Sequence, residues 1–130
     1  MFWNNKEVKE MTEKTKTRIN ARIAMVKDAS EAVNKDNDMK SYLCLSQEAW
    51  TLDSILIWEY SLDMATKELK VQNDTIRYFN DVLPKAINDN IDRVVLKNMK
   101  EMYYEALGRQ KAFIYYLDEL NKEACDNELI

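Results

Sequence analysis

The chain has 130 residues, of which 46% are hydrophobic and 32% charged, with a formal net charge of −4. This length supports one domain with a core, and the apolar content is too high for a disordered segment. A single glycine and a single proline exclude hairpin-rich sheets and glycine-rich phosphate loops, because both need residues with positive φ. We therefore predict one all-α domain over residues 1–130, an elongated bundle of three long helices plus one short helix.

The first predicted helix runs from Asn5 to Val33 and has one narrow inward face. Its members recur at steps of three and four residues: Val8, Met11, Thr15, Ile19, Ile23, Val26 and Val33. Between Lys6 and Lys27 there are seven Lys or Arg against three Glu. Three alternatives follow for such a basic helix: docking on the acidic remainder of the chain, pairing with a neighbouring subunit, or a weak surface for a polyanion.

The second predicted helix, from Met39 to Gln72, contains the most apolar stretch of the chain, Ser54 to Ala65. At about 100° per residue, Glu59 and Asp63 fall in one narrow arc with Glu48, and most of the remaining circumference is apolar. A helix of this kind needs neighbours on most sides, so we expect the acids to form its wet edge and a homodimer to complete its enclosure. The residues assigned to the core or dimer interface are Trp50, Ile57, Trp58 and Met64.

Two further helices are predicted after the second. Asn73 is expected to cap a short third helix over residues 74–83, which Pro84 stops or kinks. Asp89 and Asn90 then precede the fourth helix, from Ile91 to Cys125. Its predicted buried face consists of Ile91, Val95, Met99, Met102, Ala106, Phe113, Leu117, Leu120 and Ala124.

The opposite face of the fourth helix carries a predicted partner-binding ridge. Its members are Tyr104, Gly108, Lys111 and Tyr115, which lie within about 60° of one another. A glycine in the middle of a helix costs about 1 kcal/mol relative to alanine, so close approach of a helix or ligand would compensate for it. Tyrosines are enriched where proteins meet. The alternatives are that the tyrosines pack on the basic first helix, or that the pattern is accidental.

No catalytic residue or cofactor is predicted. The chain has no histidine, which excludes Ser–His and Cys–His nucleophile systems and His-ligated zinc or di-iron sites. A carboxylate-only magnesium site, as in all-α nucleotide hydrolases, is the remaining enzymatic alternative, with Glu59 and Asp63 as its candidate ligands. Cys44 and Cys125 match no metal-binding pattern, and we expect both to be reduced and mostly buried.

By elimination, the predicted function is non-enzymatic binding of a protein partner by a homodimer. No run of about 18 apolar residues and no apolar leader is present, which favours a cytoplasmic protein without a membrane span. Acids interleaved with the bases of the first helix argue against nucleic acid; those bases are Lys14, Lys16, Arg18, Arg22 and Lys27. Small acidic helical chains of this kind include adaptors and phage-encoded inhibitors, and a structural or assembly protein is a further alternative.

Overall fold

The computed structural model of the protein describes residues 11–129 and contains four α-helices within that range. The helices are α1 (Glu13–Ala32), α2 (Met39–Trp58), α3 (Leu62–Asn88) and α4 (Arg93–Leu129). No strand occurs between residues 11 and 129, so the prediction of an all-α bundle is confirmed. Residues 5–10 of the predicted first helix, with Val8, lie outside the described residues.

The longest helix, α4, is the central element of the bundle. It has 37 residues, which corresponds to about 55 Å, and it packs against each of the other three helices. α2 runs parallel to α4, because Cys44 contacts Tyr104 near one end while Tyr60, just beyond α2, contacts Tyr116 near the other. None of the helices in the described range combines the length and apolar character needed to cross a membrane.

The helix α3 runs antiparallel to α4 on a separate side. Gln72 of α3 accepts a hydrogen bond from Arg109, and Asn80, two turns later, accepts one from Tyr103. α2 and α3 do not pack on each other, although only three residues join them. α4 therefore separates the two, and each keeps an outer face that no other described helix covers.

The core lies where α1, α2 and α4 meet. α1 packs antiparallel on α2 and also contacts the second half of α4. The fully buried apolar side chains at this junction are Ile19, Leu52, Ile55, Tyr116 and Leu120, with Met11, Ile23 and Phe113 nearly as buried. The predicted inward face of the first helix is confirmed for its members between Met11 and Val26.

The apolar stretch from Ser54 to Ala65 forms a corner between two helices. α2 ends at Trp58, because Glu59 adopts the left-handed conformation with φ 45°. Ser61 is the N-cap of α3, and its side chain accepts a hydrogen bond from the amide of Met64. The predicted continuous helix from Met39 to Gln72 is therefore wrong. Apolar periodicity persists across the corner because residues on both sides of it pack on α4.

The third helix is long, which corrects the prediction of a short one. α3 has 27 residues, and Asn73 lies in its interior, where its side chain accepts a hydrogen bond from Gln110 of α4 over 2.8 Å. Pro84 lies inside the helix, which continues for one further turn to Asn88. Asn73 has the residue type of an N-cap, but its side chain binds across to α4 instead of capping a helix start.

The fourth helix begins slightly later than predicted and buries a different set of residues. Asp92 accepts hydrogen bonds from the amides of Val94 and Val95, and Arg93 is the first helical residue. Val95 and Met102, predicted to be buried, are about half exposed. Since helices pack on several sides of α4, its buried surface includes small and polar residues that an apolar stripe does not identify: Gly108, Ala112, Glu119 and Glu123.

Candidate protein interface

Gly108 lies where α4 crosses α2. A Cβ atom at this position would overlap the carbonyl oxygen of Cys44 and lie 2.9 Å from Cβ of Gln47. The Cys44 thiol donates to the carbonyl of Tyr104 over 3.3 Å, and burial raises the pKa of this thiol. The close approach expected at Gly108 is thus made by α2 of the same chain. Gly108 is buried and is not part of an exposed ridge.

Tyr115, another member of the predicted ridge, packs on α1. Its hydroxyl donates to the carbonyl of Arg18 over 3.4 Å, and the guanidinium of Arg22 lies 5.2 Å from the centre of its ring. Burial raises the pKa of Tyr115, and the nearby carboxylate of Glu119 raises it further. This is the internal packing on the basic helix that the sequence left as an alternative.

The two remaining members of the ridge differ in exposure. Tyr104 is half-buried, with its ring centre 5.9 Å from that of Tyr103, whereas Lys111 is exposed. The four residues Tyr104, Gly108, Lys111 and Tyr115 therefore do not form one open surface. The ridge prediction is corrected, because the face that carries it is the side on which α1 and α2 dock.

The basic helix α1 docks on buried acids of the same chain. Arg22 lies 2.7 Å from the carboxylate of Glu48, and Arg18 lies 3.2 Å from that of Glu119. Glu48, predicted on a wet edge, is only 1% exposed. Glu48 lies one turn from Cys44 and from Leu52, on the buried side of α2, and its carboxylate is paired there with Arg22 of α1.

A third buried acid, Glu123, binds the start of α1. Its carboxylate accepts hydrogen bonds from the hydroxyls of Thr12 and Thr15. The same Thr12 oxygen caps α1 by accepting from the amide of Thr15 over 3.2 Å. Sequence reasoning missed Glu48, Glu119 and Glu123, although the i,i+4 spacing of the last two and the excess of bases on α1 were available as signals.

Glu59 and Asp63 are both exposed, as predicted, but they belong to different elements. Their side chains are 70% and 75% exposed, and they pair with Lys16 at 3.9 Å and Lys67 at 3.1 Å respectively. Glu59 ends α2 and Asp63 lies in the first turn of α3. Among the side chains that the structure describes, from residue 11 to residue 125, no group of three or more acidic or cysteine residues converges as a metal site. Cys44 is free and buried, and Cys125 is free but exposed, contrary to expectation.

The outer face of α2 is open and apolar. Trp50, Ile57 and Trp58 are 64%, 72% and 72% exposed, and Met64, beyond the corner, is 45% exposed. Within the single chain they are therefore not core residues, and the dimer interface to which the sequence alternatively assigned them stays a prediction. α2 packs on α1 and α4 mainly with its opposite side. The residues of that buried side are Cys44, Glu48, Ala49, Thr51, Leu52 and Ile55.

The outer face of α3 carries a second apolar stripe. Met64, Val71 and Tyr78 follow one another at steps of seven residues and are 45%, 51% and 58% exposed. We call these three residues the α3 stripe. Seven-residue steps keep side chains on one side of a helix, so the stripe extends about 21 Å along α3. Each member directly precedes a buried residue that faces α4: Ala65, Gln72 and Phe79.

Charged side chains of both signs flank the α3 stripe. Asp74 accepts hydrogen bonds from Lys70 and Arg77, both over 2.9 Å. The hydrogen bond from Lys70, together with that from Arg77, lowers the pKa of Asp74. The flank is therefore an ion-paired border and does not present a uniform positive field.

Compared with protein-family models, curated proteins and solved structures, the chain matches none. The assignment of a function therefore depends on the chemistry of its surfaces. Two apolar faces, one on α2 and one on α3, lie outside the core on helices that α4 separates. Exposed apolar side chains that share one face of a helix are a common feature of sites where proteins associate.

Proposed function

We propose that this chain is a non-enzymatic protein-binding module that receives a helix of its partner along the α3 stripe. The observation that carries the proposal is the seven-residue spacing of three exposed apolar side chains, Met64, Val71 and Tyr78. Helices that pack side by side as in coiled coils bring together residues with this period. An inhibitor or adaptor, which acts by occupying a surface of another protein, is the class of function that such a stripe supports.

The stripe is held in a defined position before any partner binds. Phe79 is buried against α4, and its ring meets that of Tyr78 edge to face with centres 5.3 Å apart. Phe79 in turn contacts the ring of Tyr103 in α4 with centres 6.3 Å apart. A tyrosine fixed in this way loses little conformational entropy on binding, which favours affinity.

The charges beside the stripe favour a protein helix over a polyanion. Lys70, Asp74 and Arg77 already form a mixed ion-paired network on the exposed surface of α3. Nucleic acid or another polyanion would gain most from unpaired bases, since its binding depends on neutralising phosphates. A partner helix with an apolar stripe and a border of both signs matches this surface.

The test compares charge insertion on the stripe with charge insertion elsewhere on α3. Val71→Glu with Tyr78→Glu places two carboxylates in the proposed contact, and Thr66→Glu places one on another exposed side of the helix. Proteins captured from the native host by the parent chain are identified, purified and titrated calorimetrically against each variant. We expect the double variant to bind at least tenfold more weakly, about 1.4 kcal/mol, and Thr66→Glu to bind as the parent does.

Equal affinity of the parent and the double variant would overturn the proposal. Circular dichroism and thermal melting of both variants provide the folding control, since all three substituted side chains are exposed. A captured protein that binds all variants alike contacts a different surface.

A further inference from the structure

The outer face of α2 has the same residue pattern in both directions from Trp50. Leu43 and Ile57 lie seven residues to either side, and Ser46 and Ser54 lie four residues to either side. At about 100° per residue, all four point within about 40° of the direction of Trp50. The face is therefore an apolar stripe in which one serine lies between Leu43 and Trp50 and another lies between Trp50 and Ile57.

The symmetry extends to the edges of this face. Tyr42 and Trp58 lie eight residues to either side of Trp50, and both are aromatic. The Lys35 ammonium lies 5.9 Å from the centre of the Tyr42 ring, and Trp58 is 72% exposed. A surface with this symmetry can pair with an identical copy of itself, as the contacts of a two-fold dimer require.

We propose that α2 pairs antiparallel with α2 of a second copy of this chain, about a two-fold axis that passes beside Trp50. In this arrangement Leu43 lies opposite Ile57 of the second copy, and the two Trp50 side chains meet at the axis. Ser46 lies opposite Ser54 of the second copy, and these small side chains allow the helices to approach. The dimer uses α2 alone and does not depend on partner binding through the α3 stripe.

The polar groups on this face are already satisfied within one chain. Ser54 donates to the carbonyl of Trp50 over 3.1 Å, and the hydroxyls of Ser46 and Ser30 lie 3.0 Å apart. Asp53, at the border, pairs with Lys27 at 3.4 Å. Burial of this face against a second copy therefore leaves neither serine hydroxyl without a hydrogen-bond partner. A buried polar group without such a partner would be the main energetic penalty.

The area available is close to what a specific interface needs. A tryptophan side chain buries roughly 150–250 Å², so Trp50, Ile57 and Trp58 present on the order of 400 Å² of exposed apolar surface per copy. A two-fold contact would cover about twice this area, and a specific interface buries upwards of about 1,000–1,200 Å² in total. Leu43, Ser46 and Ser54 are partly exposed and add to this area.

The first test is the mass of the full chain in solution, measured by light scattering up to its highest soluble concentration. We expect the parent chain to reach the mass of a dimer and Trp50→Glu to remain a monomer. Val71→Glu, which alters the α3 stripe, is the matched control and should remain a dimer. The proposal would be overturned if the parent chain stayed a monomer. It would also be overturned if Trp50→Glu formed a dimer.

The second test measures the direction of pairing. Ser46→Cys and Ser54→Cys are prepared separately in a Cys125→Ser background, since Cys125 is exposed and Cys44 is buried. With a short thiol cross-linker, a mixture of the two variants should give a cross-linked dimer and each variant alone should not. Cross-linking of Ser54→Cys with itself, or none in the mixture, contradicts the antiparallel arrangement. The α3 stripe is intact in these chains, so failure here is distinct from failure of partner binding.

Discussion

The guanidinium of Arg22 in α1 holds the carboxylate of Glu48 in α2 with two contacts to one oxygen. Nε donates to Oε2 over 2.8 Å, and Nη2 lies 2.7 Å from the same atom. The Glu48 side chain is 2% exposed and that of Arg22 is 30% exposed. The basic helix of this protein is therefore fixed to the bundle by its own arginines.

Loss of the Glu48 carboxylate should destabilise the fold. Glu48→Ala leaves Arg22 partly buried without its partner, and we expect the free energy of unfolding to fall by about 2–3 kcal/mol, less than for a fully buried pair. Urea denaturation of Glu48→Ala, Arg22→Ala and the double variant measures the coupling, which should exceed about 1 kcal/mol. A coupling near zero, as expected for the exposed pair Lys67–Asp63, would show that the contact contributes little.

The docking of α1 was only half predictable from the sequence. The apolar residues Ile19, Ile23 and Val26 recur at helical spacing and are buried as predicted. The apolar pattern did not identify which acids join them, because Glu48 is stabilised at its inward position by the contact with Arg22. A charged side chain is predicted to be exposed unless an oppositely charged partner is known. The partner of Glu48 is Arg22, which lies 26 residues earlier in the chain.

Any side chain at Gly108 should destabilise the protein. Alanine at an open helical position is about 1 kcal/mol better than glycine. At Gly108 the added Cβ would overlap the carbonyl oxygen of Cys44, which belongs to the α2 backbone and cannot rotate away. We expect Gly108→Ala to lower the free energy of unfolding by about 1–3 kcal/mol in thermal and urea denaturation. A more stable Gly108→Ala variant would show that α2 and α4 are farther apart here.

The corner between α2 and α3 should favour glycine at Glu59. Glu59 has φ 45°, where a residue with a Cβ is strained by about 1 kcal/mol. Glu59→Gly should therefore retain or raise the stability by up to about 1 kcal/mol, despite the loss of its long contact with Lys16. Glu68→Gly, inside α3, is the matched control and should cost about 1 kcal/mol. If both substitutions destabilise equally in denaturation, then α2 continues through Glu59 in solution.

This corner explains why the candidate surfaces were predicted only in part. Trp50, Ile57 and Trp58 were identified as interface residues, but they were assigned to the same helix as Met64. The break at Glu59 places Met64 on α3, where it aligns with Val71 and Tyr78. A left-handed backbone conformation at a residue other than glycine is hard to predict from sequence. The α3 stripe could therefore be recognised only once the start of α3 was known.

Tyr116 should make the stability depend on pH in the alkaline range. Its side chain is fully buried, and its hydroxyl donates a hydrogen bond to the carbonyl of Tyr60. Burial, together with the nearby carboxylates of Glu123 and Glu59, raises the pKa of Tyr116 from 10.0 to about 12. The neutral phenol is therefore favoured in the folded state, and this contribution is complete below pH 10 and lost as pH rises from 10 to 12. The loss amounts to about 2–3 kcal/mol.

Comparison with Tyr116→Phe isolates this effect. The variant lacks the titrating group, so the stability difference between the parent chain and Tyr116→Phe should shrink, or reverse, between pH 10 and 12. Urea denaturation at a series of pH values gives the two curves. Parallel curves over this range would mean that the Tyr116 phenol ionises alike in both states.

Site-specific photo-cross-linking in the native host tests most directly whether the α3 stripe contacts a protein. A photoreactive phenylalanine derivative replaces Val71 in one chain and Thr66 in another, since both positions are exposed on α3. We expect a discrete cross-linked species of higher mass from position 71 and none from position 66. The same products from both positions, or none from position 71, would mean that the α3 stripe does not bind a protein.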